Sequence, residues 1–257
     1  MAEIFLNNIS LGDFKGVLFD KDGTLTSSKS NLRDIANSRV REIKKILKNK
    51  LIKNELNQLI KLLKSAYGLT ENLVDPNGLI AIASRQDNLI STATLISIFT
   101  KSWPEAIDIS NKVFQSADKD LSDLESIAKE RPLFKGVKIL LDKLVQANIK
   151  CAVISNDTSK GIKDFLDHNK IANQFAGYWS CENNPPKPNP TAVIKLCKSI
   201  DLHPHECMLI GDSDLDLKMA QQAGIGISIG YVSGWDIKPD ISYQNKLISK
   251  WEELSCH

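Results

Sequence analysis

No stretch of this chain approaches the roughly 20 consecutive apolar residues that a membrane-spanning helix requires, so no part of it reads as a span. Its opening, Met1-Ala2-Glu3-Ile4-Phe5, lacks a basic segment followed by an apolar one, and export is not expected. An excess of one charge is missing too, since 33 Lys and Arg stand against 31 Asp and Glu, a net charge of +2. That balance argues for neither a nucleic-acid nor a membrane-surface partner, and function has to be read locally. The five cysteines, Cys151, Cys181, Cys197, Cys207 and Cys256, show no C-x-x-C spacing, and an odd number cannot all pair internally. Reduced thiols in a cytoplasmic protein are the expectation. Internal repeats and low-complexity tracts are absent as well. At 257 residues the chain has room for one large α/β domain or for a core with a smaller second domain.

What is present is concentrated near the start. Gly16-Val17-Leu18-Phe19 is apolar with little alternation, as in a central parallel strand covered on both faces. It runs straight into Asp20-Lys21-Asp22-Gly23-Thr24-Leu25-Thr26. If the extended geometry persists, alternate side chains point the same way, so Asp20 and Asp22 converge on one cation while Lys21 points elsewhere. Two carboxylates that close repel unless a metal or a proton intervenes. Taken alone, Asp22-Gly23 also reads as an ordinary turn.

Past Thr26 the character changes. Residues 31–64 carry Lys, Leu and Ile at helical spacing, with Ile35, Val40, Ile43 and Leu47 as apolar positions, and read as two helices. Turn chemistry follows at Gly68 and at Asp75-Pro76-Asn77-Gly78. Helices are then expected over 87–101 and 104–116, the second opened by Pro104, with a short one over 120–129. Beyond Arg131-Pro132, helix and strand alternate: helices over 136–147, 158–168, 190–200 and up to 223, strands over 150–154, 178–181, 207–210 and 226–229. Such alternation implies a parallel sheet with helices on both faces, so the helical stretch after the first strand is an insertion.

Three of the apolar strands end in polar clusters, at Asp20/Asp22, Ser155/Asn156 and Asp212/Asp216, and Lys187 lies on the loop after a fourth. Singly, Ser155 or Asp212 reads as a helix N-cap and Lys187 as an exposed loop lysine. In a parallel sheet, however, all these strand ends share one edge, where open α/β sheets bind ligands.

Asp20-Lys21-Asp22-Gly23-Thr24, Ser155, Lys187 and Gly211-Asp212-Ser213-Asp214-Leu215-Asp216 together resemble the four ordered motifs of the haloacid dehalogenase-like hydrolase superfamily. The spacing and the insertion are similar to the subgroup with a C1-type cap, which includes phosphoglycolate phosphatases and β-phosphoglucomutases. This resemblance implies an α/β fold: a Rossmann-like three-layer parallel-sheet core over 1–26 and 131–257, with an inserted helical cap over 27–130. It also assigns roles. Asp20 becomes the nucleophile that forms an aspartyl-phosphate, and Asp22 the acid/base that protonates the leaving alkoxide and then activates water. Mg²⁺ is the implied cofactor, held by Asp20, Asp212 and the backbone carbonyl of Asp22. Ser155, the amide of Asn156 and Lys187 meet the phosphate, with Asp216 and Thr24 supporting them from behind. An acid/base at Asp22 favours phosphate esters over dehalogenation, because a departing halide needs no proton.

The implied activity is a Mg²⁺-dependent phosphomonoesterase acting on a small phosphorylated metabolite, 2-phosphoglycolate being the best single guess; a sugar phosphomutase is the alternative. A noncatalytic, receiver-like phosphate sensor is less expected, because receivers are much shorter and lack the insertion. Hinges to the cap are expected near 26–31 and 131–134, and Arg85 in the cap is a candidate for contact with a substrate carboxylate or phosphate, or else a surface residue. His203 and His205 read as a turn before a strand, and Trp235 either as core or as a neighbour of the site mouth. Monomer and dimer both remain open.

Overall fold

The apolar run at residues 16–19 is a strand, and it lies inside a parallel sheet. The computed structural model describes residues 2–70, 73–125, 131–242 and 246–256. Among these the strands are β1 (Ala2–Leu6), β2 (Ile9–Phe14), β3 (Gly16–Phe19), β4 (Lys150–Ile154), β5 (Phe175–Trp179), β6 (Cys207–Gly211), β7 (Ile227–Tyr231), β8 (Lys246–Ile248) and β9 (Leu254–Cys256). The helices are α1 (Lys29–Leu47), α2 (Lys53–Tyr67), α3 (Leu79–Ile82), α4 (Arg85–Thr100), α5 (Trp103–Glu125), α6 (Val137–Gln146), α7 (Ser159–His168), α8 (Pro190–Ser199) and α9 (Asp214–Gln222). By its internal contacts the chain divides into two units, Met1–Ser28 with Arg131–His257, and Lys29–Glu130.

In the first unit a six-stranded sheet runs β5-β4-β3-β6-β7-β8, and every neighbouring pair is parallel. From β3 the chain fills one side of the sheet with β4 and β5, then returns to the other side with β6, β7 and β8. The order therefore reverses at β3, which is where ligand crevices open in such sheets. Alternation along the strands builds two cores. Val17, Phe19, Cys151, Val153, Met208 and Ile210 pack with Leu140, Leu141 and Leu144 of α6 and with Ile162 and Phe165 of α7. Leu18, Ala152, Ile154 and Leu209 pack on the other face with Val193 and Leu196 of α8 and with Leu217 and Ala220 of α9. These strands are buried on both faces, hence their unbroken apolar character.

Several expectations needed correction. The strand expected over 178–181 is β5, three residues earlier, because at Ser180 the backbone N–H already donates to Asn183 Oδ1 at 2.8 Å and starts a turn. The separate helices over 104–116 and 120–129 are one helix, α5, with no Gly or Pro between them; residues 126–129 lie outside the described residues. A small antiparallel sheet, β2-β1-β9, is an addition that was not expected. Its hairpin turns at Asn7 and Asn8, both left-handed with φ of 48° and 65°, a two-residue turn whose twist suits a hairpin.

The second unit is helical. Ala36, Val40, Ile43 and Leu47 of α1 are buried, whereas Ile35 is half-buried, and α4 opens on Ser84, whose side chain accepts the Asp87 N–H.

Candidate active site

At the end of β3 the ladder continues for one residue, with the Asp20 N–H donating to Ile210 O of β6 at 2.9 Å. The chain then folds back on itself: Gly23 N–H donates to Thr26 O at 2.8 Å, and the Leu25 and Thr26 amides both donate to Lys21 O at 2.9 and 3.2 Å. Gly23 has φ +87°, and a Cβ there would run into the Asp212 carboxylate and come within 2.8 Å of the Trp235 indole nitrogen. Only glycine serves at this position.

The turn brings Asp20 against residues from the ends of β4 and β6. Lys187 Nζ donates to Asp20 Oδ1 at 2.7 Å, lies 2.5 Å from Asp216 Oδ1, and is itself buried. Ser213 caps α9, and its hydroxyl also donates to Asp216 Oδ2 at 2.6 Å, which aims Asp216 back at Lys187. Asp212 accepts from Thr24 Oγ1 at 3.1 Å and from Trp235 Nε1 at 2.5 Å. Asp20 Oδ2, by contrast, is buried with no hydrogen-bond partner.

Burial, and then the neighbouring acids Asp216 and Asp22, push the Asp20 carboxyl up to about 6 against the pull of Lys187. Asp212 is raised well above the usual carboxylate range by burial and then by Asp20 and Asp216. Burial alone would lower Lys187, but the charges of Asp20 and Asp216 outweigh it and hold the ammonium firmly protonated.

The β4 end supplies Ser155, buried, whose hydroxyl accepts the Asp157 N–H at 3.1 Å, and Asn156, whose Oδ1 has no partner. Thr158, not Ser155, caps α7, and Ser213, not Asp212, caps α9, so the two strand-end residues are not consumed as helix caps.

Asp22 behaves differently from expectation. Lys21 does not point away: its Nζ is wholly buried, 2.7 Å from both oxygens of Asp22 and 3.1 Å from Asp157 Oδ2. Ser28 also donates to Asp22. Alternation holds for extended backbone, whereas β3 ends at Phe19 and the chain beyond it turns. Burial would raise the Asp22 carboxyl, but Lys21 and then the Ser28 hydroxyl hold it below its usual value.

The residues read from the sequence thus fall into one cluster, Asp20, Asp212, Asp216, Lys187 and Thr24, with Ser155 and Asn156 at the end of the adjoining strand. Arg85 lies in the helical unit, half-exposed, its guanidinium 2.5 Å from Asp118 and 5.4 Å from the centre of the Phe114 ring. Sequence reasoning missed Lys21, Asp157 and Ser28 and left Trp235 undecided. The single usable signal was a lysine set between two acids where an apolar strand ends.

The donor set suits a hard cation. Asp20, Asp212 and Asp216 offer oxygens within 4.8 Å of one another, Asp20 Oδ2 is unpartnered, and Lys187 bonds to both Asp20 and Asp216. Oxygen-only, carboxylate-rich donors of this kind fit Mg²⁺. No described helix is long and apolar enough to cross a membrane.

The model of the haloacid dehalogenase-like hydrolases matches residues 14–224. A phosphoglycolate phosphatase of Vibrio vulnificus (strain CMCP6) is 34% identical over 106 residues, which are 40% of this chain and 46% of that protein. One from Psychrobacter arcticus is 27% identical over 138 residues, 52% of this chain and 58% of that protein. The chain therefore spans about half the length of the curated relatives it matches. Among solved structures, a protein of Haemophilus somnus 129PT described as a predicted phosphoglycolate phosphatase superposes with a TM-score of 0.61 at 20% identity, over 94% of this chain and 96% of that one. A β-phosphoglucomutase from Clostridium difficile gives 0.58 at 17% identity, over 93% and 92%. At these identities the structures speak for the fold.

Proposed function

Because the chain belongs to the haloacid dehalogenase-like hydrolases, we propose that it hydrolyses the phosphate monoester of a small metabolite, with Mg²⁺ as cofactor and 2-phosphoglycolate as the first substrate to test. The supporting observation is the Asp20 carboxylate. One oxygen is anchored by Lys187 at 2.7 Å, while the other is buried and has no hydrogen-bond partner, as an in-line nucleophile or metal ligand should be.

In this reading Asp20 attacks phosphorus, the ester P–O bond breaks, and the leaving alkoxide takes a proton from Asp22. Water then attacks the aspartyl-phosphate, its proton returns to Asp22, and the bond from phosphorus to Asp20 breaks to free phosphate. Splitting one hard displacement in two is the gain of covalent catalysis. To act as an acid Asp22 has to carry a proton in the first step, and its pairing with Lys21 favours the ionised form that this step leaves behind and that activates water in the second. Lys187 and the Ser155 hydroxyl stabilise charge on the phosphoryl oxygens, the main task of a protein in phosphoryl transfer. Asp20, Asp212 and the Asp22 carbonyl would hold Mg²⁺, which supplies charge neutralisation between the anionic nucleophile and the phosphate. Residues 1–26 and 131–257 are assigned the catalytic core and 27–130 the cap, with Arg85 as its candidate for substrate recognition. A cytoplasmic location is part of the same proposal.

Phosphate release over a panel of phosphorylated metabolites, with and without Mg²⁺, tests this. Mg²⁺-dependent release from at least one small ester is expected. Isomerised sugar phosphate without release would favour a phosphomutase, and inactivity towards every ester would remove the phosphatase reading.

A further inference from the structure

Lys21 stands where the chain would otherwise bury an apolar side chain. It is wholly buried, its Nζ sits 5.5 Å from the centre of the Phe165 ring, and its described ion pairs are with Asp22 and Asp157. Both acids are partly exposed, at 31% and 24% of their side chains, so the lysine lies beneath two carboxylates that reach solvent. Removing an ammonium from water is costly, and a buried pair is seldom more stable than an apolar replacement of similar size. A cation–π contact returns only a small part of that cost. Stability is therefore a weak reason for a lysine here, and fixing the positions of its two partners is a stronger one.

The partners belong to different loops. Asp22 follows β3, while Asp157 follows β4 and is tied down three ways, twice within its own loop and once to the segment after β5: its N–H donates to Ser155 Oγ at 3.1 Å, its Oδ1 accepts from the Thr158 N–H at 2.7 Å, and its backbone carbonyl accepts from Cys181 N–H at 3.0 Å. Space for the Asp157 carboxylate is made by Gly161, where a Cβ would lie 2.5 Å from its oxygens. Arg131 Nη1 approaches the same carboxylate at 3.8 Å. The chain of contacts Asp22–Lys21–Asp157–Ser155 thus connects the acid/base to the phosphate-binding hydroxyl.

Resting on the phosphatase reading, we propose that Lys21 is a positioning residue, holding the Asp22 carboxylate and the 155–158 loop in one frame so that the acid/base and the Ser155 hydroxyl address the same phosphoryl group. Lys21→Met keeps the length and loses the charge. Asp157→Asn, at a partly exposed position, breaks the same bridge from its other end and guards against a misfolded lysine variant.

Two measurements separate the positioning claim from the phosphatase claim. Amide hydrogen exchange of Asp157 and Thr158 needs no substrate; Lys21→Met is expected to speed it at least fivefold, and unchanged exchange overturns the coupling whatever the protein hydrolyses. Turnover per titrated active site on the best ester of the wild type is the second. Here kcat should fall at least tenfold in Lys21→Met, and severalfold in Asp157→Asn, with KM within about threefold. Wild-type kcat per active site in both variants, with only a lower unfolding temperature, would make Lys21 a structural residue and overturn the proposal. A wild type inactive on every ester would instead sink the phosphatase reading and the catalytic half of this proposal, while the exchange result still decides the coupling.

Discussion

Asp212→Asn removes one of three acids whose oxygens lie within 4.8 Å of one another. Two unit charges at that separation repel by roughly 3.5 kcal/mol at an effective dielectric of about 20. Asp212 faces two such charges, Asp20 and Asp216, and Lys187, bonded to both, cancels much of their effect. Asparagine keeps the shape: its oxygen can accept from Trp235 Nε1 while its amide donates to the Thr24 hydroxyl. What it loses is the charged character of these hydrogen bonds, on the order of 1 kcal/mol. The balance makes the metal-free variant more stable than wild type by about 1–3 kcal/mol near pH 8, although it should be inactive. The pH sign follows from the raised Asp212 carboxyl. A raised carboxyl binds its proton more tightly in the native state, so the charge penalty is present above the folded pKa and relieved below it. The advantage of the variant should therefore shrink as pH falls. In saturating Mg²⁺ the order reverses, because a ligand stabilises the form that binds it. Urea unfolding of both proteins, in EDTA and in Mg²⁺, measures all of this. A variant less stable than wild type in EDTA, or one that gains as much from Mg²⁺, would refute the reasoning.

Other perturbations test the same cluster from different sides. Trp235→Phe removes the N–H that orients Asp212, and calorimetric Mg²⁺ affinity is expected to drop about tenfold with the fold intact. Because the Asp20 carboxyl is pushed up to about 6, protons compete with the cation there, so Mg²⁺ affinity should weaken as pH is lowered through that value; a flat profile from neutral to acid pH would contradict the burial argument. Gly23→Ala places a Cβ against Asp212 in a left-handed backbone position, and thermal unfolding should show a loss of about 1–3 kcal/mol together with lost Mg²⁺ binding.

Much of the core was legible because the physics that reveals it is local. Strands buried on both faces are continuous apolar runs, and each polar group that ends such a run lies at the same sheet edge, which is why Asp20, Ser155 and Asp212 stand out in the sequence. The hairpin at Asn7-Asn8 was legible in principle, since two residues suited to left-handed backbone stand between short apolar segments. Its third strand, Leu254–Cys256, pairs with β1 from the far end of the chain, and a three-residue strand carries almost no periodic signal.

Within the site, the residues hidden from the sequence are those that act across loops. The Trp235 hydrogen bond to Asp212 depends on a packing of turns, with a Cβ on Gly234 running into the Gly23 carbonyl, that no local pattern encodes. Lys21 was misread for a related reason. Alternation holds only while the chain stays extended, and β3 ends one residue before Asp20. The same turn that takes Lys21 to Asp22 also seats Gly23 against Asp212.

The central claim is that Asp20 is covalently phosphorylated during turnover. Rapid acid quench of the Mg²⁺-loaded enzyme with its best ester, followed by peptide mass spectrometry, tests it directly. The account predicts one phosphorylated peptide, carrying the modification on Asp20, formed and lost at rates compatible with turnover and absent from Asp20→Asn, which should be inactive. Steady turnover without a phosphorylated Asp20, or activity retained by Asp20→Asn, would contradict it.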